Sequence, residues 1–259
     1  MASMEQWRFQ IEALKSKYNI VAYDFFGCGN SPRLMDSWES YSTKEHLADL
    51  VEIFDRNKTR YNFIVGHSFG TSQTLRLARL RGSELHGCVL VAPALFPDGG
   101  HPIFHLPEFI LNWIQPSLSQ AFFKMGFHPT TREARTDAHR ELLKVALARM
   151  NSNSMHVAKS FYRQVKFIKK DEVTAIDGRI PMIMICANED LITPMAMALE
   201  MKTWLSLREN FAEPVKIEVV GPASHQLMEE QPEAVNEIMM RFFESCEKRM
   251  MTSAASSSL

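Results

Sequence analysis

Tyr61-Asn62-Phe63-Ile64-Val65-Gly66-His67-Ser68-Phe69-Gly70 is the stretch that decides the fold. YNFIV is a short β-rich apolar run, and GHSFG follows it directly, matching G-x-S-x-G. Helical spacing then holds from Thr71 to Leu80. A strand that turns sharply into a helix forces the middle residue of the motif into a strained backbone conformation. The flanking glycines let the two elements approach each other. A serine at that corner presents its hydroxyl at the carboxyl edge of the sheet, where α/β proteins place their ligands.

Working outward, four more runs read as strands: Asn19 to Tyr23 (NIVAY), Cys88 to Ala92 (CVLVA), Met182 to Cys186 (MIMIC) and Val215 to Val220 (VKIEVV). NIVAY enters a glycine-rich turn, DFFGCGNSPR. Helical spacing appears over 4–16 (Met4, Trp7, Ile11, Leu14), over 43–57 (Leu47, Leu50, Val51, Phe54) and from Glu233 to Cys246. Strands alternating with helices predict a mainly parallel α/β sheet, and continuous apolar runs predict strands covered on both faces. Residues 97–178 contain no strand and are rich in Phe, which predicts a helical insertion over the sheet. The expected division is therefore 1–96 and 179–249 as the two parts of the core, 97–178 as the insertion, and 250–259 as a disordered tail.

The chain has 259 residues, 46% hydrophobic and 23% charged, with a formal net charge of −1. That balance excludes wholesale disorder and argues against a nucleic-acid binder acting by bulk charge. Cys28, Cys88, Cys186 and Cys246 are widely scattered, with no CxxC, which suggests neither a zinc site nor a disulfide framework but reduced thiols in an intracellular protein. No HExxH is present, no metal or cofactor is expected, and no apolar run is long enough to span a bilayer.

A serine hydroxyl is a poor nucleophile until a base takes its proton, and the base needs a third group to fix its tautomer. Among nine histidines, His225 stands alone at a strand end near the C-terminus, in Gly221-Pro222-Ala223-Ser224-His225. Two acids follow MIMIC, Glu189 and Asp190, and position alone leaves both open. His67 sits beside the nucleophile and should point elsewhere. His101 and His105 have helical spacing, but Pro102 and Gly99-Gly100 disfavour a helix there. His46, His86, His128, His139 and His156 read as solvated surface residues.

Four segments together resemble the α/β-hydrolase superfamily, of the abhydrolase-domain-containing type: DFFGCGNS, GHSFG, PMIMICANEDLITP and SHQLMEEQPEAVNEIM. Within that type, IQPSLSQAFFKMGF and the histidine region are most similar to the eighth subfamily. The resemblance implies an α/β-hydrolase fold and a Ser68, Asp190, His225 triad. It implies an oxyanion donor at the Phe69 amide, and a lid formed by about 97–178. It implies a cofactor-free serine hydrolase acting on small carboxylic esters or acyl lipids, with the Phe-rich insertion as a surface for lipid contact. Serine at 68 argues against epoxide hydrolases and haloalkane dehalogenases, which use an aspartate nucleophile. Lipid-active relatives with an HxxxxD motif transfer acyl groups; here His225 to Glu230 ends in Glu, which makes acyl transfer doubtful. The family's strand three, with its His-Gly dipeptide and second oxyanion donor, has no counterpart in this sequence. The expectation is an N-terminally truncated hydrolase lacking its first strands, with NIVAY either beside a gap or paired directly with YNFIV. A weakly catalytic binding protein is the alternative reading.

Overall fold

Four apolar runs pair into one parallel sheet in the computed structural model, which describes residues 3–152 and 154–256. The strands are β1 (Phe63–His67), β2 (Gly87–Val91), β3 (Met182–Ala187) and β4 (Lys216–Val220), in the order β1-β2-β3-β4. Register runs Phe63 opposite Gly87, Cys88 opposite Met182 and Ile183 opposite Lys216. Every connection crosses through helices: α1 (Arg8–Leu14) and α2 (Thr43–Asn57) precede β1, and α3 (Phe69–Arg81) joins β1 to β2. Between β2 and β3 come α4 (Glu108–Gly126), α5 (Pro129–Arg132), α6 (Asp137–Asn151), α7 (Met155–Gln164) and α8 (Lys170–Thr174). Then α9 (Met195–Leu205) precedes β4, and α10 (Leu227–Glu230) and α11 (Pro232–Ser256) end the chain.

The central strands β2 and β3 are apolar on both faces because both faces are covered, whereas β4, at the sheet edge, buries only Val220, so the expectation of full coverage fails there. Side chains alternate along a strand. Val89, Val91, Ile183 and Ile185 pack with Leu14 of α1 and Met239 and Phe243 of α11. Their neighbours Cys88, Leu90, Met182 and Met184 pack on the other side with Leu75 and Leu77 of α3 and Met201 and Leu205 of α9. Each buried aliphatic side chain contributes ~1.5–3 kcal/mol relative to exposure, so these two layers supply most of the driving force. The four cysteines are buried free thiols, and two of them, Cys88 and Cys186, lie in the second of these layers.

Three expectations need correction. Residues 19–23 form no strand, and β1 pairs only with β2, so the direct pairing of NIVAY with YNFIV does not occur. A β-rich run becomes a strand only beside a partner, and a cavity separates this run from β1. Helix α11 continues to Ser256, into the stretch expected to be disordered, while 257–259 lie outside the described residues. Third, His46 and His128 are not surface residues: they are 1% and 6% exposed.

His46 is packed in an aromatic cluster, its ring stacked on Phe25 at 5.0 Å and tilted against Phe161 at 5.7 Å. Neither ring nitrogen has a hydrogen-bond partner among the described residues. Burial lowers its pKa from 6.5 to about 4. A histidine that is harder to protonate when folded contributes stability that is present above its unfolded pKa and lost as pH falls. His46 should therefore cost about 2 kcal/mol of stability at pH 5 relative to pH 7.5. Urea unfolding of His46→Leu is expected to show a visibly flatter loss of stability between pH 7.5 and pH 5 than the parent chain.

Candidate active site

The G-x-S-x-G stretch forms a sharp strand-to-helix corner with the candidate nucleophile at its apex. Ser68 sits between β1 and α3 with φ 53° and ψ −120°, a conformation rare outside glycine. Its N–H donates to Val91 O at 2.9 Å, and its carbonyl accepts from Thr71 Oγ1 at 2.6 Å. Gly66 is required sterically: a Cβ there would lie 2.3 Å from Thr74 Oγ1 and 2.4 Å from the Gly70 carbonyl. Gly70 is different, since a Cβ there would meet nothing within 4 Å. Phe69 is the first residue of α3, so its amide has no intrahelical acceptor and is available at the corner beside Ser68.

Asp190 and His225 come together from the loops after β3 and β4. His225 Nδ1 lies 2.9 Å from Asp190 Oδ2, and the two residues are 5% and 7% exposed. The Asp190 carboxylate also accepts the amides of Ile192 and Thr193 at 2.8 Å and the Thr193 hydroxyl at 2.7 Å. Burial by itself would raise the Asp190 pKa. The bond to His225, the attraction of that ring and the Thr193 donors outweigh burial and hold the carboxyl below its ordinary value. Glu189 turns away, with Oε2 3.1 Å from His128 Nε2 and its side chain half exposed. Ser68 and His225 face one cavity of about 1280 Å³. Among the described residues, no hydrogen bond joins the Ser68 hydroxyl to His225.

Sequence reasoning missed three supports of His225. Thr193 Oγ1 is 3.3 Å from His225 Nδ1 while donating to Asp190, so one hydroxyl bridges the pair. His67 does not point elsewhere as expected: it lines the same cavity, its ring 4.6 Å from that of His225 and its Nε2 2.8 Å from the His225 carbonyl oxygen. Burial foremost, then the neighbouring His225, pushes the His67 pKa down to about 3, so the ring is neutral and can donate this bond. The acid pair Glu229-Glu230 braces the same loop. Glu230 accepts the Ser224 and His128 amides at 2.7 Å. Glu229 is fully buried between Arg149 of α6 (2.5 and 3.1 Å) and Arg8 (2.5 Å). The signal for Thr193 was its place three residues after Asp190, where a hydroxyl can fold back onto a carboxylate. His101 and His105 bracket a short 3-10 turn at Pro102–His105, and no group of three or more His, Cys, Asp or Glu is placed to hold a metal among the described residues.

With fold and site described, comparison with known proteins fixes the class. The family model described as "Alpha/beta hydrolase family" matches residues 2–238, and the chain belongs to that family. Protein ABHD8 of Homo sapiens is 26% identical over 93% of this chain and 52% of its own length. The chain thus spans about half the length of that relative. An esterase from Thermogutta terrifontis superposes with a TM-score of 0.76 at 16% identity, covering 95% of this chain and 86% of that one. The enol-lactonase from Burkholderia xenovorans LB400 does so at 0.74 and 17% identity, covering 94% and 87%. These likenesses show the α/β-hydrolase fold.

Thr193→Val removes the bridging hydroxyl and leaves a buried carboxylate oxygen one donor short. The expected loss is about 1–3 kcal/mol at pH 7. Guanidinium unfolding checks it, and the deficit should shrink in acid as Asp190 takes up a proton in both proteins.

Proposed function

We propose that this member of the hydrolase family cleaves carboxylic esters through Ser68, His225 and Asp190. The observation that carries the reading is the buried His225–Asp190 pair opening on the cavity that Ser68 enters from its strained corner. His225 Nε2 takes the Ser68 proton as Oγ bonds to the ester carbonyl carbon. The carbonyl oxygen becomes an oxyanion facing the Phe69 amide. Collapse expels the alkoxide, which leaves with the proton returned by His225, and an acyl-serine remains. Water, deprotonated by the same imidazole, then attacks the acyl carbon; the bond to Oγ breaks, His225 returns the proton to Ser68, and the acid leaves. Asp190 holds Nδ1–H and so keeps Nε2 free to act as base. The reaction as written uses no cofactor.

An acyl-lipid substrate is favoured over a small polar ester. Phe104, Phe122, Met125, Met155 and Phe161 line the cavity from the helices between β2 and β3. On α4, Phe109 and Trp113 are 74% and 82% exposed, and their spacing of four residues puts them on one side of the helix. Two large apolar side chains exposed together suit contact with a lipid surface through this lid-like segment. No described helix is long and apolar enough to cross a membrane.

A fluorophosphonate probe should label the chain at Ser68, and Ser68→Ala should abolish labelling. Persistent labelling in that variant removes Ser68 as nucleophile. Asp190→Asn should lower kcat for a p-nitrophenyl ester by about 10⁴-fold, as expected when the base is held in the wrong tautomer. Chain-length dependence of kcat/KM, rising from acetate to decanoate esters, separates the lipid reading from the small-ester one.

A further inference from the structure

The loop that carries His225 is fastened to the helices between β2 and β3. Ser224 Oγ donates to the Met125 carbonyl at 2.7 Å, and the Gln226 amide donates to the Gly126 carbonyl at 3.0 Å. Glu230 accepts the His128 amide and the Ser224 amide, both at 2.7 Å. These contacts come from the end of α4 and the turn after it. Arg149 reaches in from α6, and its two terminal nitrogens donate to the two Glu229 oxygens at 3.1 and 2.5 Å.

This ion pair is poorly explained as a source of stability. The Arg149 side chain is 7% exposed and that of Glu229 is 0%. Both ions are stripped of water there, and a buried pair adds little over well-packed apolar residues of the same volume. It does supply direction. A planar guanidinium with two parallel N–H bonds fixes angle as well as distance, which an apolar contact does not. Glu229 belongs to α10, the short helix that begins two residues after His225. Arg8 meets the same carboxylate, but its side chain is 28% exposed and can turn to solvent.

Arg149 also lines the cavity that Ser68 and His225 face, together with Leu118, Phe122 and Met125 of α4. The helices that enclose the cavity are therefore the helices that fasten the histidine loop. We infer that Arg149 is a positioning residue for His225. Seating of α6 through Arg149 and Glu229 holds the imidazole between Asp190 and the cavity, so the base is complete only when the helical insertion is docked. The kinetic arm of the test rests on the ester reading proposed above, whereas the spectroscopic arm does not.

The double variant Arg149→Met/Glu229→Met of the 259-residue chain removes both charges together and leaves neither of these two ions buried alone. Its fold is expected to survive, as read by circular dichroism. Arg140→Met, which breaks the exposed pair with Asp137 on the same helix, is the control. Nitrogen-15 NMR of the ring in mild alkali reads which nitrogen of His225 carries the proton. The parent and the control should show the Nδ1–H tautomer, and the double variant a mixture of the two. With p-nitrophenyl decanoate, kcat of the double variant should fall about 10–100-fold, with KM within about twofold of the parent, as expected when a reacting group is misplaced by a remote change. Arg149→Lys keeps the charge but loses the fork, and should move tautomer and kcat the same way by less. A folded double variant that keeps the single tautomer and the parent kcat overturns the inference and leaves the pair as a structural brace. Equal effects in Arg140→Met also overturn it. Should the double variant unfold, Arg149→Lys decides by the same readouts, and an unchanged tautomer there overturns the inference. If the parent turns over no ester, the ester reading fails, and the tautomer alone still decides the role of Arg149.

Discussion

Ser68 is held at φ 53° at the end of an edge strand, and most of the site depends on that arrangement. A non-glycine residue in such a conformation costs ~1–3 kcal/mol and persists only where its surroundings over-determine it. Here they do so from one side. The Ser68 amide is tied to β2, its carbonyl to Thr71, and Gly66 lets α3 descend until Thr74 and Gly70 touch the strand. Among the described residues the other side of β1 contributes no backbone hydrogen bond, so the anchoring of this corner comes from β2 and α3.

Three carboxylates buried near His225 show how environment assigns different work to one functional group. Asp190 faces an imidazole and a hydroxyl, so its negative charge is met by hydrogen bonds from both. Glu229 sits between two guanidiniums, one from α6 and one from the N-terminal segment. A buried carboxylate without those partners would be costly, so the pair of arginines ties two distant parts of the chain to the helix after His225. Glu230 meets backbone amides rather than cations. Burial raises its pKa despite the donors from Ser224, Thr131 and His128, and it serves as a brace linking the His225 loop to the start of α5.

The parts of this arrangement that were legible in the sequence are those with short-range signatures. CVLVA and MIMIC read as strands because both their faces are apolar, and the elbow reads from two glycines and a serine at fixed offsets. Position left the choice between Glu189 and Asp190 open. Only the folded loop shows one acid turned to His225 and the other to His128. NIVAY carries the composition of a strand, but pairing is a property of two segments, and nothing inside five residues tells whether a neighbour is present. His46 reads as a surface residue for a related reason. The apolar spacing of its helix is carried by Leu47, Leu50, Val51 and Phe54, and the rings that bury it, Phe25 and Phe161, come from positions remote in sequence.

The neutral state of His67 completes the electrostatic logic. Its ring lies 4.6 Å from that of His225, close enough that two positive charges there would oppose one another. Burial holds His67 uncharged down to a pKa of about 3. It can therefore donate a hydrogen bond to the His225 carbonyl without placing a cation beside that imidazole, which in the proposed reaction would become positive on taking a proton. A lysine or arginine at 67 could make the same bond but would penalise the imidazolium. A residue without a donor would leave the carbonyl that fixes the loop unpaired. Beside a strained serine, the position thus calls for a donor that stays neutral, which is the property a fully buried histidine supplies.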